Sequence, residues 1–241
     1  MSVAQKVICI LGMHRSGTSC LSGSLEAMGL NLGNVITWAP FNRKGNRENP
    51  RIMELHEDVL VANNGSWERP PAAVQWSAEH RARRDKIIAE YRNAESWGFK
   101  DPRTLFTLDG WTEVIEGMEY VGTFRHPGKV AESLYARNKG EHGHWLNLWY
   151  LYNARLLALH DREQFPIIDF DLDEEAYGRR VDKIVERMGI TPAGKARGGV
   201  ERGEDSERFF DPTLRKNRAV DEMKLPQLIA DMYAELRARA I

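Results

Sequence analysis

Near its start the chain reads VICILGMHRSGTS, which covers residues 7–19. Residues 7–11 are apolar and rich in β-branched side chains, a pattern typical of a strand that is buried on both faces of a parallel sheet. Residues 12–19 form a loop that contains two glycines, and leucines follow it at helical spacing,. A strand, a loop and a helix in this order predict the opening of an α/β domain.

The rest of the chain repeats this alternation of strand and helix. Three further apolar runs predict strands, at residues 97–100, 120–124 and 167–170,. Apolar side chains at spacings of three and four predict amphipathic helices between and after these strands. We therefore predict one α/β domain over residues 1–241, with a central parallel sheet flanked by helices,. Within it, residues 31–75 are interpreted as a substrate-side insertion and residues 193–218 as a mobile late loop,.

Composition excludes several classes of protein. Hydrophobic residues make up 42% of the chain and charged residues 29%, which is an ordinary globular balance,. The net charge of -1 provides no overall field for nucleic acid or an anionic membrane,. Two cysteines are too few for a disulfide framework, and no apolar segment is long enough for a signal-peptide core or a bilayer span,. We expect a soluble cytoplasmic protein with no nucleic-acid partner and no membrane span.

The loop at residues 12–19 has the glycine spacing of the Walker A motif but lacks its lysine,. Thr18 stands at the lysine position, which weakens the case for an enzyme that hydrolyses ATP or GTP,. Arg15 can supply the missing cation, and the backbone N–H groups at the start of the helix favour an anion. The sequence therefore predicts a phosphate-binding loop, with a ligand-free glycine turn as the alternative.

A second anion site is predicted at the end of the third strand. Arg125 directly follows that strand, and Ser133 lies eight residues later on a helix that Pro127 begins,. Ligands of open parallel sheets collect at the carboxyl ends of the strands, where this site and the first loop meet. In isolation Arg125 is more typical of a surface ion pair, but the neighbouring loop favours a binding role.

Together the two motifs resemble those of the sulfotransferases that use 3'-phosphoadenosine 5'-phosphosulfate (PAPS). The likeness runs from about residue 7 to residue 138, and the arginine in the first loop is more similar to the tyrosylprotein and bacterial branches than to the cytosolic drug-conjugating branch. The resemblance implies a P-loop-like sulfotransferase fold. It also implies transfer of a sulfuryl group from PAPS to the hydroxyl of a small-molecule or glycan acceptor (a saccharide, a tyrosine or a small alcohol), with adenosine 3',5'-bisphosphate (PAP) as the product.

The resemblance also assigns the donor site residue by residue. The 5'-phosphosulfate is expected to contact the first loop, at His14, Arg15, Ser16, Gly17, Thr18 and Ser19. The 3'-phosphate is expected to contact Arg125 and Ser133, with weaker assignments to Lys216 and Arg218 in the late loop. A solvated charge run is the alternative interpretation of that late basic segment.

Three residues are the candidates for catalysis. Lys100 ends a strand and resembles the lysine of a Lys-Asp-Pro element in the tyrosylprotein branch, where the lysine helps to stabilise the transferring group,. Arg15 of the first loop is the second catalytic candidate. Glu48 precedes a helix and resembles a glutamate of related bacterial enzymes, so it is the first choice for the general base,. An alternative role for Glu48 is to complement the dipole of the helix that follows.

Further polar residues are expected to contact the acceptor. They are Asp101, Arg103 and His56. Asp101 precedes a proline and a short helical run, so helix capping is an equally good interpretation. His56, together with His14 and His126, is a reserve candidate for the base, although a lone histidine on a helix is more often structural.

No His, Cys or Asp cluster has metal-ligand spacing, and sulfuryl transfer does not require a metal, because the sulfuryl group carries less charge than a phosphoryl group.

Two other functions stay open at this point. A P-loop kinase that uses Mg-ATP is the first alternative, since residues 167–169 offer a Walker-B-like strand end. The second alternative is a non-catalytic nucleotide-binding relative. The sequence does not define the oligomeric state.

Overall fold

The computed structural model describes residues 5–40, 42–191, 209–210 and 224–241. Its strands are β1 (Lys6–Leu11), β2 (Ser96–Lys100), β3 (Glu119–Phe124) and β4 (Ile167–Asp169). They form a parallel sheet in the order β2-β1-β3-β4. Cys9 of β1 is paired with Phe99 on one side and with Tyr120 on the other. The first strand predicted from the sequence is therefore central in the sheet.

The helices of the described residues are α1 (Thr18–Ala27), α2 (Pro50–Ala62), α3 (Ala78–Glu90), α4 (Thr104–Thr107), α5 (Asp109–Thr112), α6 (Pro127–Asn138), α7 (His142–Glu163), α8 (Glu174–Arg187) and α9 (Gln227–Arg239). Local signals explain several of their starts. Asn49 caps α2 by accepting a hydrogen bond from the Arg51 N–H at 3.0 Å,. Ser77 and His80 form a reciprocal capping box at α3,. No described helix is both long and apolar enough to cross a membrane.

Helices cover both faces of the sheet. Along β1, Val7, Cys9 and Leu11 join one buried cluster, while Ile8 and Ile10 join the other,. The first cluster contains side chains of α2, α7 and α9, and the second contains side chains of α1 and α8. A strand buried on both faces has to be apolar throughout, which is what the continuous run of the sequence predicted. The predicted α/β fold with a central parallel sheet is confirmed.

Because the strands are parallel, their carboxyl ends lie along the same edge of the sheet. The loop at residues 12–19 leaves β1 there, and Lys100 ends β2. Arg125 follows β3, and the segment that begins at Phe170 follows β4. The predicted insertion at residues 31–75 contains α2 between two irregular parts. Most of the predicted late loop at residues 193–218 lies outside the described residues.

Candidate active site

The loop between β1 and α1 has a backbone suited to anion binding. Gly17 adopts a φ of 86° and directly precedes α1, where no side chain caps the first turn. The hydroxyl of Ser16 is buried and has no hydrogen-bond partner among the described residues. The uncapped N–H groups, the Ser16 hydroxyl and the positive end of the helix dipole therefore converge on this loop.

Gly17→Ala is expected to lower the free energy of unfolding by about 1–3 kcal/mol, because a side chain strains this backbone conformation. A Cβ on Gly17 would also lie 2.3 Å from the ring of Phe170. Chemical denaturation measures the change. Gly143→Ala is the matched control, since a Cβ at this position in α7 meets nothing within 4 Å. Equal stability of the two variants would contradict the prediction.

The two predicted anion sites meet at Arg15. Its Nε donates a hydrogen bond to the Ser133 hydroxyl at 2.8 Å, which joins the first loop to α6. Burial, with the nearby charges of Arg137 and Arg125, lowers the pKa of Arg15 to about 10. Neither Arg15 nor Arg137 forms an ion pair with a carboxylate in the described part of the chain. Guanidinium groups that form no ion pair with a carboxylate favour the approach of an anion.

Arg137 was not identified from the sequence. It lies four residues after Ser133 on α6, and residues at this spacing share one face of a helix,. Its guanidinium lies 5.4 Å from the centre of the Trp67 ring. The helical spacing from Ser133 is the signal that could have revealed it.

Arg125 is held by the segment that follows β4. Its side chain is buried, its guanidinium lies 5.4 Å from the centre of the Phe170 ring, and its Nε lies 3.4 Å from Oδ1 of Asp171. The other Asp171 oxygen accepts the His126 N–H at 2.8 Å, and Lys129 Nζ lies 3.0 Å from Oδ1. Burial by itself raises the pKa of Asp171, but the His126 hydrogen bond and the charges of Arg125 and Lys129 outweigh it and hold the pKa below its usual range. The carboxylate is therefore ionised at neutral pH.

The structure brings Lys100 and Glu48 together as a buried ion pair. Lys100 Nζ lies 2.8 Å from Oε1 of Glu48, and the two side chains are only 1% and 10% exposed. The same ammonium group lies 3.5 Å from the hydroxyl of Ser19 at the start of α1. Backbone hydrogen bonds between Glu48 and Ile36 and between Arg47 and Ile36 fix the end of the loop that carries the carboxylate. The candidate cation and the candidate base thus lie beside the phosphate loop.

His56 and Asp101 are paired with each other in the interior. Both are fully buried, and Nδ1 of His56 lies 3.1 Å from Oδ2 of Asp101. Trp111 Nε1 donates to Nε2 of His56 at 2.7 Å, so the ring carries its proton on Nδ1 and donates it to Asp101,. Both side chains are therefore bonded to buried partners, and their contact with an acceptor, like the reserve role of His56 as a base, stays a prediction.

Asp101 instead stabilises the turn after β2. Its Oδ1 accepts the Arg103 N–H at 3.0 Å, which agrees with the capping interpretation,. Arg103 also pairs through Nη1 with Asp101 at 3.0 Å and through Nε with Glu57 at 2.8 Å. Burial by itself raises the pKa of Asp101, but Arg103 and His56 outweigh it and hold the pKa well below its usual range. Arg103 is neutralised twice, and its contact with an acceptor stays a prediction.

His14 packs among aromatic rings beside the loop. Its ring centre lies 4.5 Å from that of Trp67 and 5.8 Å from that of Tyr152. Burial, together with the charge of Arg103, lowers the pKa of His14 well below its usual value of 6.5. The imidazole is therefore neutral at pH 7. His126 is occupied differently, because its Nδ1 accepts the Gly128 N–H at 3.2 Å and caps α6.

His14→Gln is expected to flatten the dependence of stability on pH. In the wild type the unfolded chain binds a proton near pH 6.5 that the folded His14 does not bind, so the free energy of unfolding falls as the pH drops. The slope from this group reaches about 1.4 kcal/mol per pH unit below that value. Urea denaturation of both proteins between neutral and mildly acidic pH gives the difference. Identical slopes would contradict the prediction.

Two predicted contacts cannot be placed, because Lys216 and Arg218 lie outside the described residues. Across the part of the chain that is described, no group of three or more His, Cys, Asp or Glu side chains could hold a metal ion.

Comparison with solved structures identifies the fold. The chain is similar to the sulfotransferase domain of the olefin synthase from Synechococcus PCC 7002, with a TM-score of 0.55 and 17% identity over 99% of this chain and 97% of that one. It is also similar to the sulfotransferase STF1 from Mycobacterium tuberculosis H37Rv, with a TM-score of 0.48 and 16% identity over 97% of this chain and 77% of that one. No protein-family model and no curated protein matches the sequence. On the first likeness, the chain has the fold of a sulfotransferase domain, as the sequence predicted.

Proposed function

We propose that this protein transfers a sulfuryl group from PAPS to an acceptor hydroxyl. One observation carries the proposal. The Arg15–Ser133 hydrogen bond joins the phosphate loop to the candidate 3'-phosphate site, and the buried Lys100–Glu48 pair lies beside that loop. PAPS carries a 3'-phosphate and a 5'-phosphosulfate, so its binding needs two such sites. The fold of the chain supports the same activity but does not by itself decide it.

The donor occupies both anion sites in this proposal. The 5'-phosphosulfate binds the uncapped N–H groups at the start of α1 and the hydroxyls of Thr18 and Ser19,. The 3'-phosphate binds Arg125 and Ser133, with Arg137 one helical turn further along α6,. Arg15 lies between the two sites and can contact either anion. This arrangement gives Arg15 and Arg137, which form no ion pair with a described carboxylate, an anion to bind.

The transfer step uses the two residues of the buried pair. The acceptor oxygen attacks the sulfur, and Glu48 takes the proton of the acceptor hydroxyl. The bond between sulfur and the bridging oxygen breaks in line, and PAP leaves with the electron pair of that bond. Lys100 stabilises the charge that develops on the bridging oxygen. The ammonium lies between the Glu48 carboxylate and the Ser19 hydroxyl, so it is within reach of both the base and the donor.

Donor turnover tests the proposal. The protein is incubated separately with PAPS that carries radiolabelled sulfur and with Mg-ATP that carries a labelled terminal phosphate. No other acceptor is added, so water is the acceptor in both reactions. We expect slow release of PAP and labelled sulfate from PAPS, and no ADP. Preferential cleavage of ATP would establish the kinase alternative. Binding of PAP without any turnover of PAPS would establish a non-catalytic relative.

A further inference from the structure

Asp171 is a carboxylate that contacts Arg125 of the candidate 3'-phosphate site, and the proposed chemistry does not use it. It follows β4 and is largely buried, with 11% of its side chain exposed. Its two oxygens contact the residues that follow β3, namely Arg125, His126 and Lys129. A buried carboxylate beside a phosphate site opposes the binding of an anion by its charge. A contribution of Asp171 to donor binding would offset this electrostatic cost.

We propose that Asp171 is a positioning residue that holds Arg125 in the orientation in which it binds the 3'-phosphate of the donor. This inference rests on the proposed function. Oδ2 fixes the main chain next to Arg125 through the His126 N–H at 2.8 Å. Oδ1 faces Nε of Arg125 at 3.4 Å, which orients the plane of the guanidinium. One carboxylate thus restrains the arginine both at its backbone and at its head group.

Phe170 extends the restraint to the first loop. Its ring lies beneath the Arg125 guanidinium, 5.4 Å from ring centre to carbon. The same ring lies so close to Gly17 that a Cβ there would approach it to 2.3 Å. The Phe170–Asp171 dipeptide therefore contacts both halves of the donor site, and it fixes their separation before the donor arrives. Preorganisation of this kind lowers the ordering cost of binding.

Charge and position predict opposite effects for Asp171→Asn. If the carboxylate acts only through its charge, its removal strengthens the attraction of PAP to Arg125 and Lys129, and affinity rises. If it positions Arg125, the amide cannot accept from both the main chain and the guanidinium, and affinity falls. The sign of the change in PAP affinity therefore distinguishes the two roles.

The experiment is calorimetric titration of the wild type and Asp171→Asn with PAP and with adenosine 5'-phosphosulfate, which lacks the 3'-phosphate. We expect PAP to bind about tenfold more weakly to the variant, while adenosine 5'-phosphosulfate binds equally to both proteins. Glu174→Gln is the matched control, because it removes the same charge from the exposed first turn of α8. Its affinity for PAP is expected to equal that of the wild type.

A second variant, Asp171→Glu, keeps the charge and moves the carboxylate by one methylene group. The positioning role predicts weaker PAP binding for this variant as well, whereas a pure charge effect predicts unchanged PAP binding. Unchanged or tighter PAP binding in both variants overturns the inference. Equal loss of both ligands overturns it too, since it assigns Asp171 a general role in folding. A wild type that binds neither ligand overturns the proposed function, and the inference falls with it.

Discussion

Lys100→Met is expected to lower the free energy of unfolding by about 3–5 kcal/mol, because it leaves a buried carboxylate without its counter-charge. The partner is Glu48, whose side chain is only 10% exposed. Ionised carboxylates are costly to bury alone, so most of this loss is the desolvation of Glu48 and not the loss of lysine packing. Urea denaturation followed by circular dichroism measures the change.

The double variant Glu48→Leu/Lys100→Met removes both charges and is expected to recover most of that stability. Lys183→Met is the matched control, since Lys183 is exposed on α8 and its replacement should change stability by less than about 0.5 kcal/mol,. A single variant as stable as the wild type, or a double variant that loses the sum of two large effects, would show that the pair is not a buried ion pair in solution.

Glu48→Gln is expected to slow the turnover of PAPS by about 10²–10⁴-fold, because an amide cannot take the proton of the attacking hydroxyl. PAP affinity is expected to be retained, since Glu48 does not contact the phosphate loop in the described hydrogen bonds. The measurement is the initial rate of PAP formation from PAPS with water as the acceptor.

The control for the base is Glu57→Gln. Glu57 is a carboxylate on α2, the helix that follows Glu48, but it pairs with Arg103 and not with Lys100. Glu57→Gln is expected to form PAP at nearly the same rate as the wild type. If Glu48→Gln turns over PAPS as fast as the wild type, or Glu57→Gln is the slower variant, Glu48 is not the base.

The fold could be predicted because its decisive signals are local. A run such as residues 7–11 is apolar at every position, and only a strand covered on both faces requires that pattern,. The positions of Arg15 and Arg125 in the fold could be predicted for a related reason. Arg15 and Arg125 each follow a parallel strand, so the topology alone brings them to one edge of the sheet,. The short helices α4 and α5 are too brief to show a helical period, and only the first was indicated, by the Asp-Pro that precedes it.

The remaining features depend on packing between distant segments. Asp171 reaches Arg125 because β4 is the neighbour of β3 in the sheet. The order of the strands cannot be predicted from the residues of either strand. His56 was correctly expected on a helix, but the docking of α2 places it against Asp101 and Trp111. Amphipathic spacing indicates which face of a helix is buried, but it does not say what that face meets.

A donor site with two anion-binding halves should bind PAP, and calorimetric titration measures that binding. We expect the wild type to bind one PAP per chain, and Arg125→Ala and Ser133→Ala each to weaken that binding by about tenfold or more, since each removes a hydrogen-bonding group from the phosphate. Absence of binding by the wild type, or equal PAP affinity in all three proteins, would contradict the assignment of this site.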